Sequence, residues 1–257
     1  MPRKKKKVET SKIKKVNVGV SGVDEILDGG IPENSLVLLA GTCGTGKTTF
    51  GLQFLYQGIK NGENGVYVTL EEIPERLELT ASLFGWDLKK LEKEKKLLII
   101  KPELYKYESL VADIEDAVKN INAKRLVIDS MAILGSYFSD SFELRRKVLE
   151  LNEILKGLNC TTLAISEIEE GTNKISRYGI EEFTVDGVVI LYYIKRENNF
   201  LRAIAVRKMR NTPHSSKIHP LEITNKGLEV FPTEEIFAKV WKTFSLNQPI
   251  FKIWKHK

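Results

Sequence analysis

Gly41, four residues, and then Gly46, Lys47 and Thr48 stand in the stretch GTCGTGKTT, residues 41–49. Each residue type has a use toward a polyphosphate. Gly44 and Gly46 let successive backbone N–H groups turn inward into an anion-binding concavity. A helix starting near Lys47 adds its positive end to the same spot. Lys47 can reach terminal phosphates, and the Thr48 hydroxyl can ligate Mg²⁺. The apolar run SLVLLA precedes the loop and the helical pattern FGLQFLYQGIK follows it. That strand–loop–helix setting is what a phosphate loop requires. The implied ligand is a nucleoside triphosphate with Mg²⁺.

Two other stretches could turn such a ligand over. RLVIDS ends in Asp129, a carboxylate at the C-terminal end of an apolar run. In a parallel sheet that end faces the ligand crevice, so Asp129 is placed to hold the Mg²⁺ shell. VTLEE ends in Glu71 and Glu72. Hydrolysis needs a group that orients and deprotonates water, and a carboxylate one strand away can do this. Adjacent glutamates also suit a helix N-terminus, since EEIPER reads as a helix start. Beside a phosphate loop the water-activating role leads.

These residues need a scaffold. Apolar runs at 35–40, 65–70, 96–100, 125–129, 161–166 and 187–194 read as strands. Helical patterns at 47–61, 74–83, 108–121 and 141–157 fall between the earlier ones. Strand alternating with helix means βαβ units and a mainly parallel, twisted α/β sheet flanked by helices. From 187 onward strand follows strand (187–194, 201–209, PLEIT, LEVF), which reads as antiparallel additions at one edge. Residues 1–15 read as a basic disordered tail, 16–232 as one ATPase domain, and 233–257 as an aromatic, basic extension that packs on the domain or on a neighbour.

Charge supports this division. The net charge of +6 is made at the ends: residues 1–15 carry +7 and 233–257 carry +3, which leaves −4 for 16–232. A slightly acidic core argues against a broad nucleic-acid surface. No run approaches a membrane span and no secretory leader is visible. Cys43 and Cys160 give no disulfide framework and suit a reducing cytoplasm.

GTCGTGKTT, VTLEE, FGWDL (84–88), VIDS, RYGIEEFTVDGVV (177–189) and VRKMRNTPHS (206–215) together resemble a single KaiC domain of the RecA superfamily. The resemblance runs from about Val16 to Pro232. It implies a RecA-like core, ATP with Mg²⁺, and a homo-oligomeric ring, usually a hexamer, with nucleotide held between subunits. It implies that Gly44, Thr45, Gly46, Lys47, Thr48 and Thr49 bind phosphates and Mg²⁺, and that Glu71 and Glu72 form the glutamate pair at the reacting end. Lys208, Met209 and Arg210, with Thr212 and His214, match the segment that reaches the nucleotide of the next subunit. Thr224 falls at a nucleotide contact, and Asn225 stands where an Asp is usual. Leu83 replaces a small polar residue near the adenine, and Asn211 replaces a Gly. GIEEFTVD offers acids where the self-phosphorylating clock domain has a hydroxyl pair, so autokinase activity is disfavoured.

Lys208 and Arg210 are two apart on what reads as an edge strand, so both point to one side. Without an acid in AVRKMRNTP, they await an anion. The alternative partner is a carboxylate such as Glu197. Three functions fit: a regulatory ring ATPase acting on an unnamed protein partner, a RecA/RadA-paralogue-like DNA-binding accessory of recombination or repair, and a nucleotide-gated scaffold. Nonspecific nucleic-acid binding would come mainly from residues 3–15.

Overall fold

A computed structural model describes residues 13–103, 106–172, 174–196 and 198–234. The scaffold is α/β. In chain order it runs β1 (Leu36–Gly41), α1 (Lys47–Lys60), β2 (Gly65–Thr69), α2 (Pro74–Ser82), α3 (Leu88–Lys93) and β3 (Leu97–Ile100). There follow α4 (Tyr107–Asn120), β4 (Arg125–Asp129), α5 (Ser141–Gly157), β5 (Thr161–Glu167), β6 (Gly187–Arg196), β7 (Asn199–Met209), β8 (His219–Thr224) and β9 (Gly227–Val230). A short two-stranded ribbon, Lys15–Val16 with Ile31–Pro32, precedes them.

The nine strands form one sheet in the order β9-β8-β7-β6-β1-β5-β4-β2-β3. All six residues of β1 are buried, because helices cover both faces and a strand in the middle of a covered sheet has no solvent side. One face packs on α1, α2, Trp86 and the 16–31 segment. The other packs on α4, α5 and the turn after β4. Local signals start the helices. Asp140 caps α5 by accepting from the Glu143 N–H (2.9 Å), and Pro74 opens α2 where its missing N–H costs nothing. The six-residue α3, capped by Asp87, and the 15–32 ribbon have no counterpart among the elements expected from sequence.

One expectation needs correction. β6 is not an antiparallel addition. It pairs parallel with β1, with Val37 opposite Gly187 and Gly41 opposite Leu191. The chain after β5 crosses back through the short helix Glu181–Thr184 and re-enters the sheet from the same end as β1. Strand direction follows from that crossover, which leaves no mark in the composition of the strand. β7, β8 and β9 are antiparallel as expected. β7 lies inside the sheet rather than at its edge, with β6 and β8 on either side. Most of the N-terminal tail and all but the first two residues of the C-terminal extension lie outside the described residues. No described helix is long and apolar enough to cross a membrane.

Arg125 fixes β4 at its first residue. Its side chain is buried, donating from Nε to Glu63 (2.5 Å) and from Nη1 to the carbonyls of Asn17 (2.7 Å) and Phe54 (2.9 Å). The pair ties the start of β4 to the turn before β2, the two strands that end at Asp129 and Thr69. Glu63→Ala should strand the guanidinium and cost roughly 2–3 kcal/mol, below the 3–5 kcal/mol of a fully buried pair because Glu63 keeps some solvent. Urea unfolding measures it, and an unchanged midpoint would remove the pair from the account.

Candidate active site

The carboxyl ends of β1, β2, β4 and β5 converge on a cleft of about 370 Å³ lined by the phosphate loop, Glu71, Glu72, Asp129 and Glu167. The loop has the shape its glycines allow. Gly44 (φ 74°) and Gly46 (φ 99°) take left-handed backbone that an L side chain rarely adopts. Gly46 is the residue before α1, which starts at Lys47. The N-terminal amides of α1 therefore face the cleft with no side-chain cap, free for an anion.

Lys47 folds back over the loop and donates from Nζ to the carbonyls of Gly41 (3.0 Å) and Thr42 (2.9 Å). Burial pulls its pKa down, opposed by the nearby carboxylates of Glu167 and Asp129. Thr45 turns its side chain inward to the Thr42 carbonyl (2.9 Å) and is fully buried. It can serve a phosphate only through its backbone amide. Thr49 is buried in α1 as well.

Asp129 stands at the end of β4. Its Oδ2 accepts from the Thr48 hydroxyl (3.0 Å) and from the Tyr67 hydroxyl (2.6 Å). Burial raises its pKa, and these two hydrogen bonds hold it back. The Tyr67 phenol is pushed well up by burial and by Asp129 itself, so it stays a donor. Thr48 and Asp129 are hard oxygen ligands already in contact. Among the described residues no group of three or more His, Cys, Asp or Glu could hold a metal unaided. The two adjacent oxygen donors, Thr48 Oγ1 and Asp129 Oδ2, are of the kind Mg²⁺ takes beside waters and phosphate oxygens.

The two glutamates part company. β2 ends at Thr69, so both lie in the following turn rather than on the strand. Glu71 accepts from the Ser130 hydroxyl (2.6 Å), which fixes it beside Asp129. Glu72 leans toward Arg76 at 4.0 Å. Sequence reasoning missed Tyr67, Ser130 and Glu167. Glu167 was detectable, because it ends the strand beside β1 as Asp129 ends β4. The other two act across strands, and only pairing brings them in.

The second group of expected residues sits elsewhere. Met209 pairs with Gly187, which pairs with Val37. This register puts the end of β7 about four residues, roughly 13 Å, from Gly41 along the sheet. Lys208 donates to the carbonyls of Glu182 (3.1 Å) and Val185 (2.6 Å). Arg210 lies one residue past the strand and pairs with Asp186 at 3.3 Å. The expectation of unpartnered cations is thus corrected: the acid comes from the chain before β6, whereas Glu197 is outside the described residues. Thr212 is buried and donates to the Leu27 carbonyl (3.3 Å), and His214 Nδ1 lies 2.9 Å from the Ser215 carbonyl. Neither reaches the cleft of its own chain. Thr224 and Asn225 do not line it either, and Thr224 borders a separate cleft with Gly19, Gln53 and Gln57. They form the β8–β9 turn, closed by Thr224 Oγ1 and the Gly227 carbonyl (3.0 Å). The strands they join put Ile223 and Leu228 over Gly46, within 3.8 Å of where a side chain there would begin.

Comparison with known proteins identifies this arrangement. The family model described as "ATPase: KaiC" matches residues 16–235. The chain belongs to the KaiC family of ATPases. A UPF0273 protein of Thermotoga maritima is 39% identical over 241 residues, covering 86% of this chain and 98% of its own. The circadian clock protein KaiC3 of Synechocystis is 38% identical over 240 residues, and the match spans 89% of this chain but 48% of that longer one. The crystal structure of a KaiC-like protein from Pyrococcus horikoshii superposes with a TM-score of 0.78 at 42% identity, over 86% of this chain and all of the other. Membership of the KaiC family supports an ATP-binding ATPase, and the single RecA-like domain agrees with it.

Proposed function

We propose that this KaiC-family chain is a Mg²⁺-dependent ATPase that works as a homo-oligomeric ring, with each nucleotide held between two subunits. Lys47 and the backbone amides of 44–49 hold the phosphates, with Thr48 and Asp129 on the Mg²⁺. Bound metal neutralises the charge that develops on the transferred phosphoryl group. Glu71, oriented by Ser130, takes the proton of the attacking water, with Glu72 next in line. Lys208 and Arg210 of the neighbouring subunit approach the phosphates, Thr212 and His214 complete their segment, and Thr224 and Asn225 lie against the nucleoside.

The observation that supports this reading is the separation of the two groups. Lys208 and Arg210 stand at the opposite end of the sheet from the loop they would serve. A side chain of five or six bonds cannot cover ~13 Å of strand, so their target is another chain. Such a head-to-tail contact repeats, and it makes a ring where the rotation per subunit closes. A regulatory role, a protein partner and a cytoplasmic site belong to the same proposal. The DNA-binding alternative leaned on the basic N-terminus, most of which lies outside the described residues.

Mass in solution tests the ring directly. With Mg-ATP, light scattering should give a closed multiple of the 29.2 kDa of one chain, about six for the hexamer that the KaiC resemblance implies. Without nucleotide the assembly should loosen, because each interface loses a ligand that both sides bind. A monomer under every condition would sink the proposal.

A further inference from the structure

Arg202 stands outside the nucleotide cleft yet holds the loop that lines it. Its Nε donates to the Gly44 carbonyl at 3.0 Å, across 158 positions of sequence. Gly44 lines the cleft, whereas neither Arg202 nor Tyr193 does. The two strands after the crossover deliver this contact. Tyr193 on β6 stands directly opposite Arg202 on β7, so the two side chains share one face of the sheet. The guanidinium sits over the Tyr193 ring, 4.8 Å from its centroid. Phe200 stacks on the same ring at 4.8 Å, with 25° between the planes. Tyr193 also borders the loop, since a side chain at Gly44 would begin 3.7 Å from its ring.

The chemistry of the loop says what this contact is for. An anion-binding concavity needs N–H groups turned in and carbonyls turned out. The Gly41 and Thr42 carbonyls are taken within the loop, by Lys47 at 3.0 and 2.9 Å and, for Thr42, also by the Thr45 hydroxyl at 2.9 Å. The Gly44 carbonyl is taken from a distant strand. Its peptide is trans, so the Thr45 N–H points opposite to the carbonyl. Gly44, at φ 74° and without a Cβ, does little to stop that peptide from turning over. A turned peptide would aim an oxygen at the phosphates. Arginine suits the task better than lysine. Its Nε lies inboard of a planar cation, so one side chain can rest on an aromatic ring and still donate sideways.

We propose that Arg202, propped on Tyr193 and Phe200, is a positioning residue of the phosphate loop. It holds the Gly44 carbonyl outside the concavity and thereby the Thr45 N–H inside it. The inference rests on the reading of this loop as a nucleotide site and adds a residue which that reading does not use. Loop amides cradle the phosphates that ATP and ADP share, so the contact serves both nucleotides alike. Binding that is equal in ground state and transition state moves KM and leaves kcat.

The test compares the full-length wild type with Arg202→Ala, Arg202→Lys, Tyr193→Leu and the Arg202→Ala/Tyr193→Leu double variant. Fluorescent ATP and ADP analogues give affinities, and phosphate release gives turnover. Arg202→Ala should weaken both nucleotides about tenfold, the net worth of one hydrogen bond from a charged group. Turnover at saturating ATP should stay within about twofold of wild type. Arg202→Lys should do no better than Arg202→Ala. Tyr193→Leu keeps bulk but removes the ring, and should weaken binding about threefold. The double variant should match Arg202→Ala, because both changes act through one contact. Arg202 and Tyr193 are both partly exposed, so the variants should fold.

Wild-type affinity in Arg202→Ala overturns the proposal. So does full rescue by lysine, because charge alone then suffices. Turnover at saturation that falls along with affinity overturns it too, since the guanidinium then touches the reacting phosphoryl group. Losses that multiply in the double variant, or that track losses in the urea midpoint, place the two residues in separate roles or in the stability of the fold, and either result overturns it. A wild type that binds nucleotide beside an equally good Arg202→Ala leaves the shared nucleotide site standing. A wild type that binds none sinks both readings.

Discussion

Glu71→Gln should keep ATP bound and lower its hydrolysis by about 10²–10³-fold, within the range a positioned general base contributes. The amide keeps the shape of the side chain and can still accept from Ser130, which donates to Glu71 at 2.6 Å. Only the basic oxygen is lost, so affinity should hold while turnover falls. Lys47→Ala makes the contrasting control. It removes a cation that lies close to Glu167, Asp129 and Glu71, and so should abolish nucleotide binding itself. Equilibrium binding of a fluorescent ATP analogue, read beside phosphate release, separates the two outcomes. If the Gln variant hydrolyses at the wild-type rate, Glu71 only orders its turn. The base is then Glu72, or Glu167 at the end of β5, and the same substitution at each decides between them.

How much of this could be read from the sequence depends on the range of the interaction. The phosphate loop was legible because its chemistry is local. Two left-handed glycines, a lysine and a threonine fall within five residues, and the helix after them supplies the rest. The strands of the covered sheet were legible for the same reason, since burial on both faces leaves an unbroken apolar run such as that of β1. The direction of β6 was not, because it is set by how the chain returns after β5. Tyr67 and Ser130 were hidden for a related reason. Tyr67 touches Asp129 only because β2 lies beside β4. Ser130 finds Glu71 across 59 positions of sequence. The partner of Arg210 was misread on the same ground. A search within AVRKMRNTP found no acid, yet Asp186, 24 positions earlier, is brought close where Gly187 pairs with Met209.

That ion pair also makes the second large prediction clean. Arg210→Ala should lower turnover at least about 100-fold, as the loss of a charge at the transferring phosphoryl group does. The fold should survive the change. Asp186 keeps Lys156 at 3.4 Å and the Leu36 N–H at 3.1 Å, so no buried carboxylate is left unpaired. Arg210 itself is half exposed. A ring of Arg210→Ala subunits has every base and no finger. A ring of Glu71→Gln subunits has every finger and no base. Mixed in equal amounts and allowed to exchange, the two should form rings in which some interfaces join an intact Glu71 to the neighbour's intact Arg210. With random head-to-tail order about one quarter of the interfaces qualify, so activity should return to about that fraction of wild type from two nearly inactive parents. Exchange is followed independently by energy transfer between differently labelled subunits. A mixture that exchanges and stays as inactive as its components would mean that base and finger act within one chain. The ~13 Å of sheet between Gly41 and the end of β7 would then have to close by a rearrangement of β6 and β7, and the site would belong to a single subunit.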